Sequence, residues 1–197
     1  MRQVPRAWNA KLDSTLKQMG FQQSPHEAAV YRRGKGGNAL LVGVYVDDLV
    51  ITGTKEAEVE SFKEETKATF QMSDLGLLSF YLGIEVHQDN SDISLRQTVY
   101  AKRIAELGEH TGCNPAHTPM EERLKLSRNT TAKVDATQYR RIVGSLRYLV
   151  HTRPDLAFAV GYIGRFMQRP TTEHQQAVKR ILRYVAGTSD YGLHYPR

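Results

Sequence analysis

The apolar positions of residues 1–96 follow helical spacing in two segments and strand spacing in the others. An apolar residue every three or four positions predicts an amphipathic helix over Ala7–Met19, and a second helix is predicted over Thr54–Phe70 with Thr54 as its N-cap. Runs rich in β-branched and aromatic residues predict strands at Ala28–Arg32, Leu40–Val46, Leu49–Thr52, Ser79–His87 and Asp92–Leu95. This order predicts an α+β fold with helices packed on an antiparallel sheet.

From Gln97 onward the pattern is mostly helical. Helices are predicted at Val99–Gly108, Gln138–His151, Asp155–Met167 and Thr171–Gly187. In the first of these, Val99, Ile104 and Leu107 are expected to face inward. Residues 109–138 contain two prolines and a polar run, so they predict an irregular linker.

The charge of the chain is distributed unevenly. Residues 1–100 carry a net charge of −2 and residues 101–197 a net charge of +8, which together make the overall +6. A basic half suits the binding of a polyanion such as nucleic acid, although the same charge can serve solubility alone. The single cysteine excludes a disulfide framework. The chain has neither a membrane-length apolar run nor a secretory pattern, so we expect no membrane association and a cytoplasmic or nuclear location.

Two adjacent carboxylates, Asp47 and Asp48, stand between two of the predicted strands. We expect both at the turn of a hairpin and at the edge of a core, where their mutual repulsion favours a shared cation. Oxygen ligands beside apolar strands suit Mg²⁺ and indicate phosphoryl-transfer chemistry. The alternative is a solvated acidic turn, because hairpin turns favour aspartate for its backbone geometry.

Four stretches in order resemble the reverse transcriptase of copia-type LTR retrotransposons. They are Met1–Asn9 (MRQVPRAWN), the Tyr-Val-Asp-Asp motif at Tyr45–Asp48, Met72–Val86 (MSDLGLLSFYLGIEV) and the segment Gly144–Thr188. The resemblance implies part of a right-hand polymerase palm over 1–96, a helix and irregular linker over 97–137, and a helical thumb or connection over 138–197. It also implies that Asp47 and Asp48 are two of the three carboxylates that hold Mg²⁺ during DNA synthesis.

The resemblance also implies residues that contact nucleic acid. Gln3 and Arg6 match a segment near the template and the nucleotide, and Tyr81 and Gly83 match the primer grip. Gly83 either permits close approach of a primer backbone or forms a bulge. Two basic stripes on predicted helices are further candidates for binding a phosphate backbone, with solvated helical faces as the alternative: Arg140, Arg141 and Arg147, and Lys179, Arg180 and Arg183.

No stretch of the chain matches the strand that carries the third carboxylate in the family. We therefore expect a truncated or host-captured reverse transcriptase-like protein, without unaided polymerase activity, that binds nucleic acid, a protein partner or both. The missing strand predicts an exposed palm edge that invites partner strands or self-association. The alternatives are a polymerase subunit completed by another chain and a purely structural interaction domain.

Overall fold

The computed structural model describes residues 4–107, 114–127 and 134–196, with only the backbone of residues 4–6. The chain forms two compact units, unit 1 (Met1–Leu78) and unit 2 (Ser79–Arg197). Both combine helices with an antiparallel sheet, which confirms the predicted α+β class. The functional regions 1–96, 97–137 and 138–197 are a different division that rests on the polymerase resemblance, and they stay a prediction.

Unit 1 places two helices and an antiparallel sheet around one core. Its elements are α1 (Val4–Gln18), β1 (Gln22–Gln23), β2 (Val30–Arg33), β3 (Leu40–Tyr45), β4 (Asp48–Gly53) and α2 (Glu56–Thr69). The strand order is β1-β2-β3-β4, so neighbours in sequence are neighbours in the sheet. The core residues are Leu12, Leu16, Phe21, Tyr31, Leu40, Val42, Phe62 and Phe70. Alternate residues of β3 are buried, which is the pattern of a sheet covered on one face.

The start of α2 differs from the prediction. The helix begins after Lys55, and the side chain of Lys55 makes no capping hydrogen bond. The hydroxyl of Thr54 donates instead to the carbonyl of Gly37, at 2.8 Å. The N-cap assignment of Thr54 is therefore wrong, because its hydroxyl holds the loop before β3.

In its described residues, unit 2 combines a second antiparallel sheet with four α-helices. Its elements are β5 (Phe80–Tyr81), β6 (Ile84–Gln88), β7 (Asp92–Arg96), α3 (Thr98–Leu107), α4 (Ala136–Leu149), α5 (Ala157–Gly164), α6 (Thr172–Gly187) and β8 (Gly192–Pro196). The strand order is β5-β6-β7-β8. The core is built mainly from α4, α5 and α6, and includes Tyr139, Ile142, Val143, Leu146, Leu149, Val160, Ile163, Val178, Ile181, Leu182 and Val185.

Two local predictions for unit 2 are wrong, and one of its strands was not predicted. The strand expected over Ser79–His87 is two strands, because the backbone reverses at Leu82 and Gly83. Val99 is 73% exposed, since α3 turns Ala101, Ile104 and Ala105 to the core instead. The strand β8 was not predicted, and it forms because residues 192–196 pair with the free edge of β7.

Residues 114–127 carry no regular helix or strand, yet they are attached to unit 2. Met120, Leu124 and Leu126 pack against its core, and the hydroxyl of Tyr162 accepts a hydrogen bond from the backbone N–H of Leu126 at 3.1 Å. This part of the expected linker therefore packs as part of the unit. Among the residues described, every helix is too short or too polar to cross a membrane.

Candidate functional site

The two candidate carboxylates occupy different positions in the β3–β4 hairpin. Tyr45 pairs with Asp48 across the hairpin, so Val46 and Asp47 form the two-residue turn. Asp47 lies at the tip as predicted, whereas Asp48 is the first residue of β4 rather than a turn residue. Both side chains are exposed to solvent, not at the edge of a core as expected.

A side chain from α1 holds the tip of this hairpin. Val46 has a positive φ of 53°, which is rare for a β-branched residue and is maintained only by surrounding contacts. The indole N–H of Trp8 donates to the carbonyl of Val46 at 2.9 Å. The Trp8 ring also packs edge-on against Phe70, with centroids 5.2 Å apart. Trp8 therefore positions the turn that carries Asp47, a role that apolar spacing within α1 could not indicate.

The carboxylates do not form a complete metal site with other parts of the described chain. No three His, Cys, Asp or Glu side chains converge anywhere in residues 4–107, 114–127 and 134–196. Asp13 is already engaged, since it accepts hydrogen bonds from Lys17 at 2.8 Å and from Tyr31 at 3.0 Å. The bond from Lys17, together with that from Tyr31, holds the pKa of Asp13 below its usual range. Carboxylate oxygens are the donors that Mg²⁺ prefers, but two exposed ones do not close a site.

The hairpin between β5 and β6 contains the two residues predicted for the primer grip. Tyr81 pairs with Ile84, which leaves Leu82 and Gly83 as turn residues with φ of 49° and 80°. Positive φ at both positions is the type I′ geometry that favours glycine at the second. The hydroxyl of Tyr148 donates to the Leu82 carbonyl, and a Cβ on Gly83 would lie 2.6 Å from that hydroxyl oxygen. Gly83 therefore makes room for Tyr148 in a two-residue turn that is not a bulge, and the expected approach of a primer backbone to this turn stays a prediction.

The basic residues of α4 remain largely available to solvent. Arg140, Arg141 and Arg147 are exposed. Arg140 donates to the carbonyl of Met167 at 3.3 Å. The guanidinium groups of Arg141 and Arg147 have no ion pair or hydrogen bond within the described part of the chain. The predicted basic face of α4 is therefore present as exposed guanidinium groups.

The basic residues of α6 are used differently. Lys179 is exposed, but Arg180 bonds the Glu121 carboxylate and the Thr118 hydroxyl, each at 3.0 Å. Arg183 donates to the carbonyl of Asn114 at 2.7 Å. These two arginines fasten residues 114–121 to the helix, and their predicted contact with nucleic acid stays a prediction. Gln3 and the side chain of Arg6 lie outside the described residues.

A buried arginine that the sequence did not single out lies near the end of α4. Arg153 is 1% exposed, and its guanidinium bonds both oxygens of Asp155 at 2.8 and 2.9 Å and two oxygens of Thr188 at 2.7 and 2.8 Å. Burial raises the pKa of Asp155, but the bond and charge of Arg153 outweigh it, so the net shift is downward. The rings of Tyr184 and Tyr191 flank the guanidinium. This cluster connects the segment after α4 to the end of α6, and its role is structural.

Comparison with known protein families gives a match over residues 1–122 to the family model described as reverse transcriptase (RNA-dependent DNA polymerase). The chain is 37% identical over 98% of its length to the retrovirus-related Pol polyprotein from transposon RE1 of Arabidopsis thaliana, and covers 13% of that protein. It is 34% identical over 96% of its length to the Pol polyprotein from transposon TNT 1-94 of Nicotiana tabacum, covering 15% of it.

A shorter relative covers nearly the whole chain. The chain is 31% identical over 99% of its length to the putative transposon Ty5-1 protein YCL074W of Saccharomyces cerevisiae, and covers 64% of that protein. The chain thus spans about an eighth of the length of the Pol polyproteins it matches. No solved structure gives a significant match.

Proposed function

Since the chain belongs to the reverse transcriptase family, in the form found in transposon Pol polyproteins, we propose that it binds nucleic acid and does not synthesise DNA unaided. One observation carries the catalytic part of this proposal. Asp47 and Asp48 are exposed at a hairpin tip, and within the described residues no further acidic group joins them. Divalent ions, when bound, neutralise the charge that develops in phosphoryl transfer. Two solvated carboxylates hold such an ion too weakly for that chemistry.

Primer extension with the purified chain tests the catalytic part. The wild type and the variants Asp47→Asn and Asp48→Asn are incubated with a primer–template, deoxynucleotides and either Mg²⁺ or Mn²⁺. We expect all three proteins to give the same background incorporation. DNA synthesis by the wild type that is lost in both variants would refute the proposal. Circular dichroism of each variant controls for folding.

The nucleic-acid part is supported by the net charge of +8 on residues 101–197 and by the exposed arginines of α4. Two or three phosphate contacts predict an affinity that falls about tenfold to fiftyfold between ~50 and ~200 mM salt. Fluorescence anisotropy with labelled oligonucleotides of different sequences measures this dependence. Absence of binding at low salt, or a strong preference for one sequence, would contradict the proposal.

A second candidate function is a polymerase subunit that another chain completes. Within the described residues, β4 has a neighbouring strand on one side only, and it starts at Asp48. An added strand along that edge would place its own side chains beside Asp48. This explains how an acidic ligand supplied from outside the chain would reach the hairpin.

Complementation separates the two candidates. The chain is co-expressed with the segment of a related Pol polyprotein that precedes the matched region, and primer extension is repeated on the purified complex. Synthesis that requires Asp48 in this chain would establish the subunit function. A complex that forms without synthesis would favour the first proposal, and sedimentation of the chain alone would show whether the edge supports self-association.

A further inference from the structure

A groove of about 780 Å³ runs along unit 2 between the end of α4 and the helix α5. Arg147 and His151 line it from the side of α4, and Arg165 lines it from the end of α5. Gly161 and Gly164 form part of its floor. All residues that line the groove belong to unit 2 and fall within the last of the four stretches that resemble the family, Gly144–Thr188.

The groove carries basic side chains and no acidic ones. Its lining contains two arginines, a histidine and a tyrosine, but no aspartate or glutamate. The sequences of α4 and α5 are themselves free of acidic residues. Arg147 has no partner in the described part of the chain, and Arg165 makes only a ring contact, 5.7 Å above Tyr162. Their guanidinium N–H groups are therefore free to bind an anion in the forked geometry that suits phosphate.

The glycine floor is not explained by packing. A Cβ added to Gly161 or to Gly164 would meet no atom within 4 Å, so alanine would fit the fold at either position. Glycine in a helix is less favourable than alanine, so these positions reduce the stability of a short helix. Their effect is to leave the backbone of α5 open to the groove, which allows a ligand to approach closely.

Several other arginines of unit 2 are already engaged in contacts within the chain, unlike those of the groove. Arg180 and Arg183 are committed to residues 114–121, and Arg153 is buried among its own partners. Arg147 and Arg165 line a cavity without acidic residues, whereas Arg96 lines a second cavity that also contains Asp155 and Asp190. Positive charge is thus available where there is also space for a ligand.

We propose that the α4–α5 groove binds the sugar–phosphate backbone of a nucleic acid, with Arg147 and Arg165 contacting phosphates over the floor of Gly161 and Gly164. This inference rests on the proposed nucleic-acid binding and names the site for it. The sequence proposed basic stripes on both α4 and α6 as candidates for binding a phosphate backbone. We now propose a single surface, the α4–α5 groove. The contacts are to the backbone, so the binding has no sequence preference.

The first test removes the two groove charges. Affinity for a labelled oligothymidylate of about twenty nucleotides is measured by anisotropy for the wild type, for Arg147→Ala/Arg165→Ala and for the control Lys102→Ala/Arg103→Ala. The control removes the same charge from exposed positions on α3. We expect the groove variant to bind at least tenfold more weakly, with the slope of log K against log salt reduced by about 1.4, and the control to change less than threefold.

The second test fills the groove without changing its charge. Gly161→Leu adds a side chain at a position where a Cβ meets no atom within 4 Å, and Gly144→Leu makes the same change at an equally open, exposed position of α4 outside the groove lining. We expect Gly161→Leu to weaken binding about fivefold at an unchanged salt slope, and Gly144→Leu to bind like the wild type. Thermal unfolding of both variants verifies that each is folded.

The outcomes separate this inference from the function on which it rests. No binding by the wild type at low salt would overturn both. Binding by the wild type with groove variants that match their controls would overturn the groove alone. Binding of polyglutamate with equal affinity and the same dependence on Arg147 would show a site for acidic polymers in general, which also overturns the assignment to nucleic acid.

Discussion

Arg153→Met is expected to lower the free energy of unfolding by about 3 kcal/mol. Arg153 is almost fully buried, and its guanidinium holds Asp155 and Thr188 together through four hydrogen bonds. Thr188 is 35 residues away in sequence, just beyond α6. The arginine therefore connects the turn after α4 to the end of α6.

The magnitude follows from what the substitution leaves behind. Removing one partner of a buried ion pair costs about 3–5 kcal/mol because the other is left without compensation. Here the Asp155 side chain is 36% exposed, so water replaces part of the lost interaction and the lower end of that range applies. Methionine keeps an unbranched stem of similar length between the rings of Tyr184 and Tyr191, so the loss of packing adds little.

Urea denaturation followed by far-UV circular dichroism measures the effect, because four of the six α-helices in the described residues belong to unit 2. Arg147→Met is the matched control, since Arg147 is exposed, and we expect it to change stability by less than about 0.5 kcal/mol. Trp8 lies in unit 1, so its fluorescence reports separately on that unit. A loss of less than about 1 kcal/mol for Arg153→Met would refute the reasoning.

The same variant has a pH dependence with a defined sign. The pKa of Asp155 is lowered in the folded protein, so its interaction with Arg153 stabilises the fold above the unfolded pKa of about 3.9. That contribution is lost as the pH falls through the folded pKa. The difference in stability between wild type and Arg153→Met should therefore shrink below about pH 4. A difference that stays constant through this range would show that Asp155 is not the partner that matters.

Three further predictions concern the hairpins and a buried histidine. Trp8→Phe removes the hydrogen bond to Val46 and should cost about 1 kcal/mol and accelerate amide exchange at the β3–β4 turn, measured by mass spectrometry. Gly83→Ala should lower the free energy of unfolding by about 1–2 kcal/mol, measured by urea denaturation, because φ of Gly83 is positive and the added Cβ meets the Tyr148 hydroxyl. The loss should be smaller in a Tyr148→Phe background, which removes that hydroxyl. Burial lowers the pKa of His174, so stability should fall as the pH drops below about 6.5, and His174→Asn should flatten that part of the profile.

Periodic apolar patterns predicted most of the elements because each pattern lies within one segment. The stripe of α4, with Tyr139, Ile142, Val143, Leu146 and Leu149, is buried as its helical spacing indicated. The β3–β4 hairpin was found at nearly its observed bounds from its two apolar runs. The strand β8 was missed because five residues with a glycine and a proline carry no period, and it becomes a strand only through pairing with β7.

The candidate site was predicted less completely. The predicted hairpin was enough to place Asp47 at its tip. The exposure of both carboxylates could not be predicted, because exposure depends on how far the hairpin extends beyond the core of unit 1. Residue type alone also could not separate free cations from engaged ones. Arg147 and Arg180 look alike in sequence, yet Arg180 is paired with Glu121, which lies 59 residues away.

The sequence by itself determined the α+β class, the helices and hairpins, the family and the adjacent pair of carboxylates, because these are local patterns or ordered motifs. Only the tertiary structure decided that Trp8 supports the turn of Val46, that Arg153 is a buried tie, and that the open basic groove lies beside α5. Each of these depends on contacts between residues that are distant in the chain, such as the 38 positions that separate Trp8 from Val46. Packing brings such residues together, and the spacing of residues along the sequence does not predict these contacts.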